Sequence, residues 1–362
     1  MWKISKFSLS KALLSIYLIA SIALFLVPDG LLRAAILALI VGTALCVFLC
    51  FEKGMLWMIV VLIIMTLLSF VILNKLIFDK SVHVTVLLNL IASLFVAYAL
   101  SMRQKLLSVF FIGFYILVIS LLLLILLGLD ANHIFSGSRN TISMILVCLG
   151  SIFLLANYGK GQRLDILLYA LVFLCCILAV GRSGIIASFI LLISVAFKYW
   201  KPFTYGKLFM GLLLVILFSS FVIYVYEYTS YFYYIKNKGL ADSYRTRMLF
   251  EYLNSLGPGN LFFGTELSKL PYISSFNSNP HNTFLLLHSQ YGILFLIFLF
   301  CIIIFTSGLI VKKLFVEALA FFALALRLAT DSSVDITTLP LVFCFVCLMG
   351  GKFRGSWAYS KF

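Results

Sequence analysis

The sequence predicts an all-α, polytopic integral membrane protein, and three observations lead to that fold class. The 362 residues are 64% hydrophobic and only 11% charged, whereas soluble domains carry about 25% charged residues. The mean hydropathy is +1.17. Apolar runs recur along the whole chain, and runs of this kind must be helical because lipid cannot hydrogen-bond an open backbone. Residues 1–362 are therefore interpreted as a single membrane domain.

About twelve segments qualify as transmembrane spans. The interval 165–197 is too long for one span, because as a single helix it would measure about 50 Å against a hydrocarbon core of roughly 30 Å. The sequence "AVGRSGIIAS" interrupts this interval, which predicts a hairpin of two short helices with Arg182 at its tip. The predicted spans are 12–27, 33–51, 55–73, 83–101, 107–127, 141–157, 165–181, 184–197, 208–225, 288–310, 314–330 and 335–350.

The distribution of lysine and arginine predicts that both termini are cytoplasmic. The short loops on the side of the N-terminus carry most of these residues, as the positive-inside rule requires. The one long connection, residues 226–287 between spans 9 and 10, then lies on the external side. Loops of this length are usually functional or disordered. Within it, residues 243–255 predict a short amphipathic helix that ends at Gly257 and Pro258.

The net charge of +15 is interpreted as a topology and headgroup signal, because the basic residues are scattered over short loops. We therefore expect no nucleic-acid partner. The eight cysteines all lie in apolar runs. Cys344 and Cys347 have CxxC spacing but no second ligand pair, so the cysteines are predicted to be packing residues rather than a metal site.

Arginines on the external side run against the positive-inside rule, so each one requires a structural or functional explanation. Arg182 lies between two short helices, at or below the membrane surface, where an unpaired cation is costly. Arg139, Arg245 and Arg247 are external as well. A guanidinium group suits phosphate oxygens. Our hypothesis is that Arg182 and one or both of Arg245 and Arg247 hold a diphosphate; the alternative for any single one is a headgroup-snorkelling residue.

A fifth arginine, Arg327, lies near a predicted membrane boundary in "LALRLATDSSVD". Asp331 follows it by four residues, a spacing that places the two side chains on the same helical face. Arg327 is therefore interpreted as a structural residue rather than as a ligand-binding one.

The stretch "SFNSNPHNTFLLLHSQYGILFLIFLF", residues 275–300, leads from the external loop into an apolar run. Asn279 can serve as N-cap with Pro280 as the first helical residue. That places His281 in the first turn, where the helix dipole favours the neutral imidazole that can accept a proton. His281 is thus a candidate base, with a packed histidine as the alternative. His288 is interpreted as an interfacial or packed residue on the same face.

The sequence contains none of the usual signatures of metal or cofactor chemistry. The carboxylates form no DxD or DDxxD pair, and there is no HExxH, GxSxG or P-loop. We therefore expect a metal-independent mechanism without a cofactor.

These features resemble the O-antigen polymerase and ligase superfamily, the Wzy-type polymerases and their ligase relatives. The resemblance rests on about twelve helices with one large late external loop, on "YRTRMLFEYLNSLGPGNLFFGTE", and on "PHNTFLLLHSQYGILF". In the last stretch the His-Asn pattern of the family falls on His281 and Asn282, followed by Leu285 and Gly292. The "GRSG" turn matches an arginine-containing turn of the family, with Arg182 at the corresponding place.

The resemblance implies a glycosyltransferase of lipopolysaccharide biosynthesis in the bacterial inner membrane, with its active site on the periplasmic side. The substrates would be undecaprenyl-diphosphate-linked glycans, one as donor and one as acceptor, among membrane lipids and with a chain-length regulator as a possible partner. His281 and Arg182 would be catalytic, by direct displacement with inversion. Arg245, Arg247, Asn282 and Arg139 would bind diphosphate or glycan.

Two alternatives to the polymerase stay open at the level of sequence. A ligase of the same superfamily would transfer the glycan to lipid A–core, and the sequence barely separates the two. A polysaccharide transporter or flippase would show repeats and broken helices near the middle of the membrane. The polar residues of this chain are instead concentrated on one face and in one loop, which favours an enzyme.

Overall fold

A computed structural model describes residues 6–27, 30–51, 54–80, 83–135, 140–157, 166–179, 181–199, 243–331 and 338–349. Over these ranges the chain is all-α, without a β-strand. The helices are α1 (Lys6–Ala23), α2 (Leu31–Leu49), α3 (Met55–Phe78), α4 (Val84–Met102), α5 (Leu107–Leu126), α6 (Ala131–Ile134), α7 (Asn140–Asn157), α8 (Ile166–Leu178), α9 (Arg182–Tyr199), α10 (Ser243–Asn254), α11 (Pro258–Phe263), α12 (Pro271–Ser274), α13 (Thr283–Val311), α14 (Phe315–Ala329) and α15 (Leu339–Met349).

Six of these helices, α1 to α5 and α13, are long and apolar enough to cross a membrane. They indicate a membrane protein, as the sequence predicts. Every other predicted span coincides with a shorter helix, except 208–225, which lies outside the described residues. The shorter helices α7, α8 and α9 are also apolar.

Helix α4 lies at the centre of one hydrophobic core, packed between α2 and α15. Its residues from Ile91 to Ser101 are all buried, whereas in α3 only Val60, Ile64, Val71 and Asn74 are buried. A second core is formed by α7, α9 and α14. The described residues therefore form a buried interior and an outer set of helices with exposed apolar faces.

The predicted hairpin over 165–197 is confirmed, because α8 ends at Leu178 and α9 begins at Arg182. Its glycines allow a close approach to α7. A Cβ at Gly184 would overlap the side chain of Ser143, and one at Gly181 would lie 3.4 Å from the Ser143 hydroxyl. The small residues of "GRSG" thus bring the first turn of α9 directly against the first turn of α7.

The described part of the long connection, 243–282, forms a small unit around Met248, Tyr252, Leu267, Leu270 and Ile273. The predicted helix over 243–255 is confirmed as α10, which ends at Asn254, just before Gly257 and Pro258. Residues 226–242 of the predicted loop lie outside the described residues. At the other end the loop is shorter than predicted, since α13 begins at Thr283 rather than at residue 288.

Candidate active site

Arg327 in the last turn of α14 is fully buried. All five of its N–H donors find acceptors, which is the full capacity of a guanidinium group. Nε donates to the Ser143 hydroxyl at 3.2 Å, and Nη1 donates to the hydroxyls of Ser183 at 3.4 Å and Thr330 at 3.3 Å. Nη2 donates to the Asn140 carbonyl at 2.6 Å and to Asp331 Oδ2 at 3.1 Å. We call these six residues the Arg327 cluster.

The predicted pairing of Arg327 with Asp331 is therefore confirmed, but it is only one part of a larger network. The guanidinium joins the starts of α7 and α9 to the end of α14. Because a buried charge is tolerated only when it is paired and hydrogen-bonded, each of these contacts is needed to keep the guanidinium in the interior.

Asp331 extends the network to a fourth segment, the start of α13. Its backbone carbonyl accepts hydrogen bonds from the Thr283 amide at 2.9 Å and from the Thr283 hydroxyl at 2.8 Å. Thr283 is completely buried. The point where the loop enters α13 is thereby fixed to the same end of the helical bundle as the starts of α7 and α9.

Four of the six predicted site residues precede members of this network in the chain; the other two, Arg245 and Arg247, lie on α10. Arg182 is the first residue of α9 and directly precedes Ser183; its side chain lies outside the described part of the structure. Arg139 directly precedes Asn140 and also lies outside the described residues. His281 and Asn282 directly precede Thr283. The fold thus brings together three chain segments that carry predicted site residues.

The predicted helical position of His281 is wrong. Asn282, not Asn279, is the N-cap, and its side chain accepts hydrogen bonds from the amides of Phe284 at 2.9 Å and Leu285 at 3.2 Å. His281 lies before the helix in the left-handed region, with φ of 47°. Asn279 has a different role, since its Oδ1 accepts from the His281 amide at 2.8 Å. Its side chain closes a turn rather than capping a helix.

Asn282 thus has a structural role at the helix cap, and its predicted role in binding diphosphate or glycan stays a prediction. The left-handed conformation of His281 is uncommon for a residue with a side chain and marks a constrained turn. The turn keeps the partly exposed imidazole outside the first helical turn. The sequence argument that the helix dipole favours a neutral imidazole at His281 assumed a position in the first helical turn, and His281 does not occupy that position.

A row of aromatic side chains connects α10 to His281. The guanidinium of Arg247 lies 4.4 Å from the ring centroid of Tyr272, a cation–π distance. The Tyr272 ring is 5.5 Å from Phe276, and Phe276 is 6.4 Å from the imidazole of His281. Tyr244 approaches Phe276 from α10 at 5.9 Å. We call Tyr244, Tyr272 and Phe276 the aromatic row.

The two arginines of α10 differ in their surroundings. Arg247 is exposed and lies over Tyr272, whereas Arg245 is partly buried. The carboxylate of Glu251 on the same helix accepts from the backbone amides of Tyr272 at 2.8 Å and Ile273 at 2.9 Å. Glu251 thereby fixes α12, and with it Tyr272, relative to Arg247.

His288 has a structural role, as predicted. Its Nε2 must donate to the Leu261 carbonyl at 3.2 Å, since a carbonyl can only accept. In the neutral imidazole Nδ1 is then the acceptor for the Tyr252 hydroxyl at 2.7 Å. Tyr252 is buried, and burial raises the pKa of its phenol. The pair joins α10 and α11 to the second turn of α13.

Sequence reasoning missed the Arg327 cluster and the aromatic row as parts of the site. The i+4 spacing revealed Asp331, but Ser143 and Ser183 lie 184 and 144 positions away from Arg327. Two members of the aromatic row had a weak signal in "PYISSFNSNPHN", where Tyr272 and Phe276 stand shortly before His281. Over the described residues no group of three or more His, Cys, Asp or Glu side chains is close enough to hold a metal ion.

No protein-family model, no curated protein and no solved structure matches this chain.

Proposed function

We propose that this protein is a membrane glycosyltransferase that polymerises lipid-diphosphate-linked oligosaccharide units, in the manner of O-antigen polymerases. The observation that carries the proposal is the Arg327 cluster with Thr283. It unites at one end of the bundle the start of α7, which Arg139 precedes in the sequence, the start of α9 at Arg182, and the start of α13 after His281. Cations and a candidate base beside aromatic side chains suit a substrate that combines a diphosphate with sugars.

In the proposed reaction the arginines bind the diphosphate of the donor. The bond between the anomeric carbon and the diphosphate oxygen breaks, and the leaving diphosphate takes the electron pair. An acceptor hydroxyl forms the new bond to the anomeric carbon and gives its proton to His281. Arg182 and Arg247 stabilise the charge that develops on the leaving group. Displacement in one step inverts the anomeric configuration.

The aromatic row supports the sugar-binding part of the proposal. Tyr272 and Phe276 lie between Arg247 and His281, so a sugar stacked on these rings would have cationic and basic groups at either end. Arg245 lies on the same helix as Arg247 and is placed by the proposal at the diphosphate.

The proposal also includes the finer topology. It places twelve spans in a bacterial inner membrane with both termini in the cytoplasm, and it places residues 226–287 and the reaction on the periplasmic face. Four helix ends meet at the Arg327 cluster and Thr283: the starts of α7, α9 and α13 and the end of α14. In this topology all four are periplasmic, because successive spans cross the membrane in alternating directions.

The test is reconstitution of the purified protein with a polyprenyl-diphosphate-linked repeat unit. The proposal predicts a ladder of elongated lipid-linked products, resolved by gel electrophoresis and mass spectrometry. Transfer only to added lipid A–core would identify a ligase. Movement of the lipid-linked unit across the vesicle bilayer without a new glycosidic bond would identify a transporter and would overturn the proposal.

A further inference from the structure

Helix α11 and the residues that follow it lie beside α3 and α13, not above their ends. The ring of Phe263 is 6.2 Å from Phe70 and 4.5 Å from Phe78, which bracket the last two turns of α3. On the other side, a Cβ at Gly264 would overlap the carbonyls of His288 and Ser289, and one at Gly292 would overlap the carbonyl of Phe262. The segment is therefore wedged between two candidate spans.

The depth of this contact follows from helix geometry. At 1.5 Å per residue, Phe70 lies about 12 Å below the end of α3, and Gly292 lies about 13 Å below the start of α13. Helix α3 has 24 residues, so it is about 36 Å long and exceeds a 30 Å hydrocarbon core by only about 6 Å in total. Even with this whole excess at the external end, Phe70 lies about 6 Å inside the core of a membrane that α3 crosses, so the contact of Phe263 with Phe70 is at the level of the acyl chains.

A short helix at this depth requires partners for its backbone carbonyls, because lipid offers none. Helix α11 has six residues, too few for its last carbonyls to be bonded within the helix. The Leu261 carbonyl accepts from His288 Nε2 at 3.2 Å. The Phe263 carbonyl accepts from Asn74 Nδ2 at 3.3 Å and from Lys80 Nζ at 2.7 Å, and Lys80 also donates to the Gly264 carbonyl.

These contacts explain why three polar side chains are buried or half-buried near the end of α3 and in α13. Asn74 also donates to the Gln290 carbonyl at 3.4 Å. That carbonyl precedes the non-helical Gly292, with φ of 45° and ψ of −124°, which interrupts the regular geometry of α13. Asn74, Lys80 and His288 thus donate hydrogen bonds to backbone carbonyls within residues 261–264.

The outward side of the segment is apolar at Leu261 and Phe262, and the exposed Asn260 before them donates its side-chain amide to the Ser255 carbonyl at 2.7 Å. Leu261 and Phe262 are 45% and 49% exposed, and on the neighbouring α3 Leu76 and Ile77 are 78% and 60% exposed. Because Phe263 stacks on α3, the apolar side chains of α11 continue the lipid-facing surface of that helix. We propose that residues 258–264 are inserted in one leaflet of the bilayer, with Leu261 and Phe262 in contact with lipid acyl chains. This inference does not depend on the proposed reaction.

The test uses tryptophan fluorescence in the full-length chain. The four native tryptophans, Trp2, Trp57, Trp200 and Trp357, are changed to Phe, and Phe262→Trp is introduced. Two matched variants serve as references: Leu62→Trp on the exposed middle of α3, and Lys269→Trp, whose native side chain is 72% exposed in the loop. Each is reconstituted in phosphatidylcholine vesicles with or without bromine on the acyl chains.

We expect brominated chains to quench Phe262→Trp at least half as strongly as Leu62→Trp, and aqueous iodide to quench it several-fold less than Lys269→Trp. Quenching by iodide as strong as for Lys269→Trp would overturn the proposal by placing the segment in water. Quenching by neither agent would overturn it as well, because another part of the chain or a second copy would then cover the surface. If the tryptophan-free parent does not fold, the difference in quenching between Leu261→Trp and the otherwise unmodified chain gives an independent measurement.

Discussion

The backbone carbonyl of Asp331 accepts two hydrogen bonds from one residue, the amide of Thr283 at 2.9 Å and its hydroxyl at 2.8 Å. Through this contact the buried guanidinium of Arg327 is coupled to the chain segment that contains His281. The chain next to the candidate base is therefore anchored by Asp331, which lies 48 positions after Thr283 and just beyond the end of α14.

Replacing Thr283 by valine tests this coupling, because the change keeps the shape of the side chain and the amide donor but removes the hydroxyl. Loss of one such hydrogen bond lowers the free energy of unfolding by about 1 kcal/mol. We expect a larger effect on ladder formation than on stability, since the turn at His281 loses part of its anchor. Thr306→Val is the control on the same helix, as the Thr306 hydroxyl donates only to Ile302 within the helix at 2.9 Å. Equal effects of the two variants on activity would contradict the coupling.

Arg327→Met breaks the buried ion pair by removing the guanidinium from Asp331. Removal of one member of a buried pair costs about 3–5 kcal/mol, which we expect as a lower free energy of unfolding in detergent. The double variant Arg327→Met/Asp331→Asn should recover part of the loss, because it also removes the uncompensated carboxylate. The comparison is Lys75→Met at the exposed Lys75–Asp79 pair, which should leave the unfolding midpoint nearly unchanged. An Arg327→Met midpoint as high as that of Lys75→Met would exclude the structural role.

Gly292→Ala should destabilise the protein more than an ordinary helix substitution. Gly292 has φ of 45°, and an added Cβ would overlap the carbonyl of Phe262, so both backbone strain and displacement of α11 add to the cost. The loss should exceed about 1 kcal/mol. Gly308→Ala on the same helix has open space around the new Cβ and should be neutral or stabilising, since alanine favours the helix by about 1 kcal/mol. Thermal unfolding of both variants separates the two cases; similar midpoints would argue against the close approach.

How far the sequence predicts this structure depends on the range over which each feature is determined. The apolar runs, the hairpin at Arg182 and the helix α10 follow from local composition and are confirmed. The helix start near His281 could not be predicted, because Asn279 and Asn282 are equally good caps by residue type. The second one prevails because Thr283, directly after it, is anchored by Asp331 from α14. The contacts of Arg327 with Ser143 and Ser183 are similarly inaccessible, since packing between distant helices has no local signature.

The stability of the protein should depend on Lys80 at alkaline pH. Burial is the main cause that lowers the pKa of the Lys80 ammonium in the folded state, and Lys269 lowers it further while Glu266 opposes the shift. Between that lowered pKa and the value of about 10.4 in the unfolded chain, the unfolded state binds more protons, so the free energy of unfolding rises with pH. Lys80→Gln should reduce this rise, as measured by thermal unfolding in detergent across the alkaline range. Lys269→Gln should change the pH dependence of the free energy of unfolding in the opposite direction, because the pKa of Lys269 is raised by its hydrogen bond with Glu266. Identical pH profiles for the two variants would contradict the assignment.

The proposed reaction predicts a specific difference among the histidines. His281→Gln keeps a hydrogen-bonding side chain but removes the proton acceptor, and loss of a general base lowers turnover by about 10²- to 10⁴-fold. The affinity for the lipid-linked donor should change little, because the diphosphate is assigned to the arginines. His133→Gln, at an exposed position near α5, should retain full ladder formation. His288→Gln should lower the unfolding midpoint through loss of the Tyr252 contact, with turnover per folded molecule largely kept. If His281→Gln retained turnover while Arg182→Gln abolished it, the acceptor would be activated by another group, and the diphosphate assignment alone would stand.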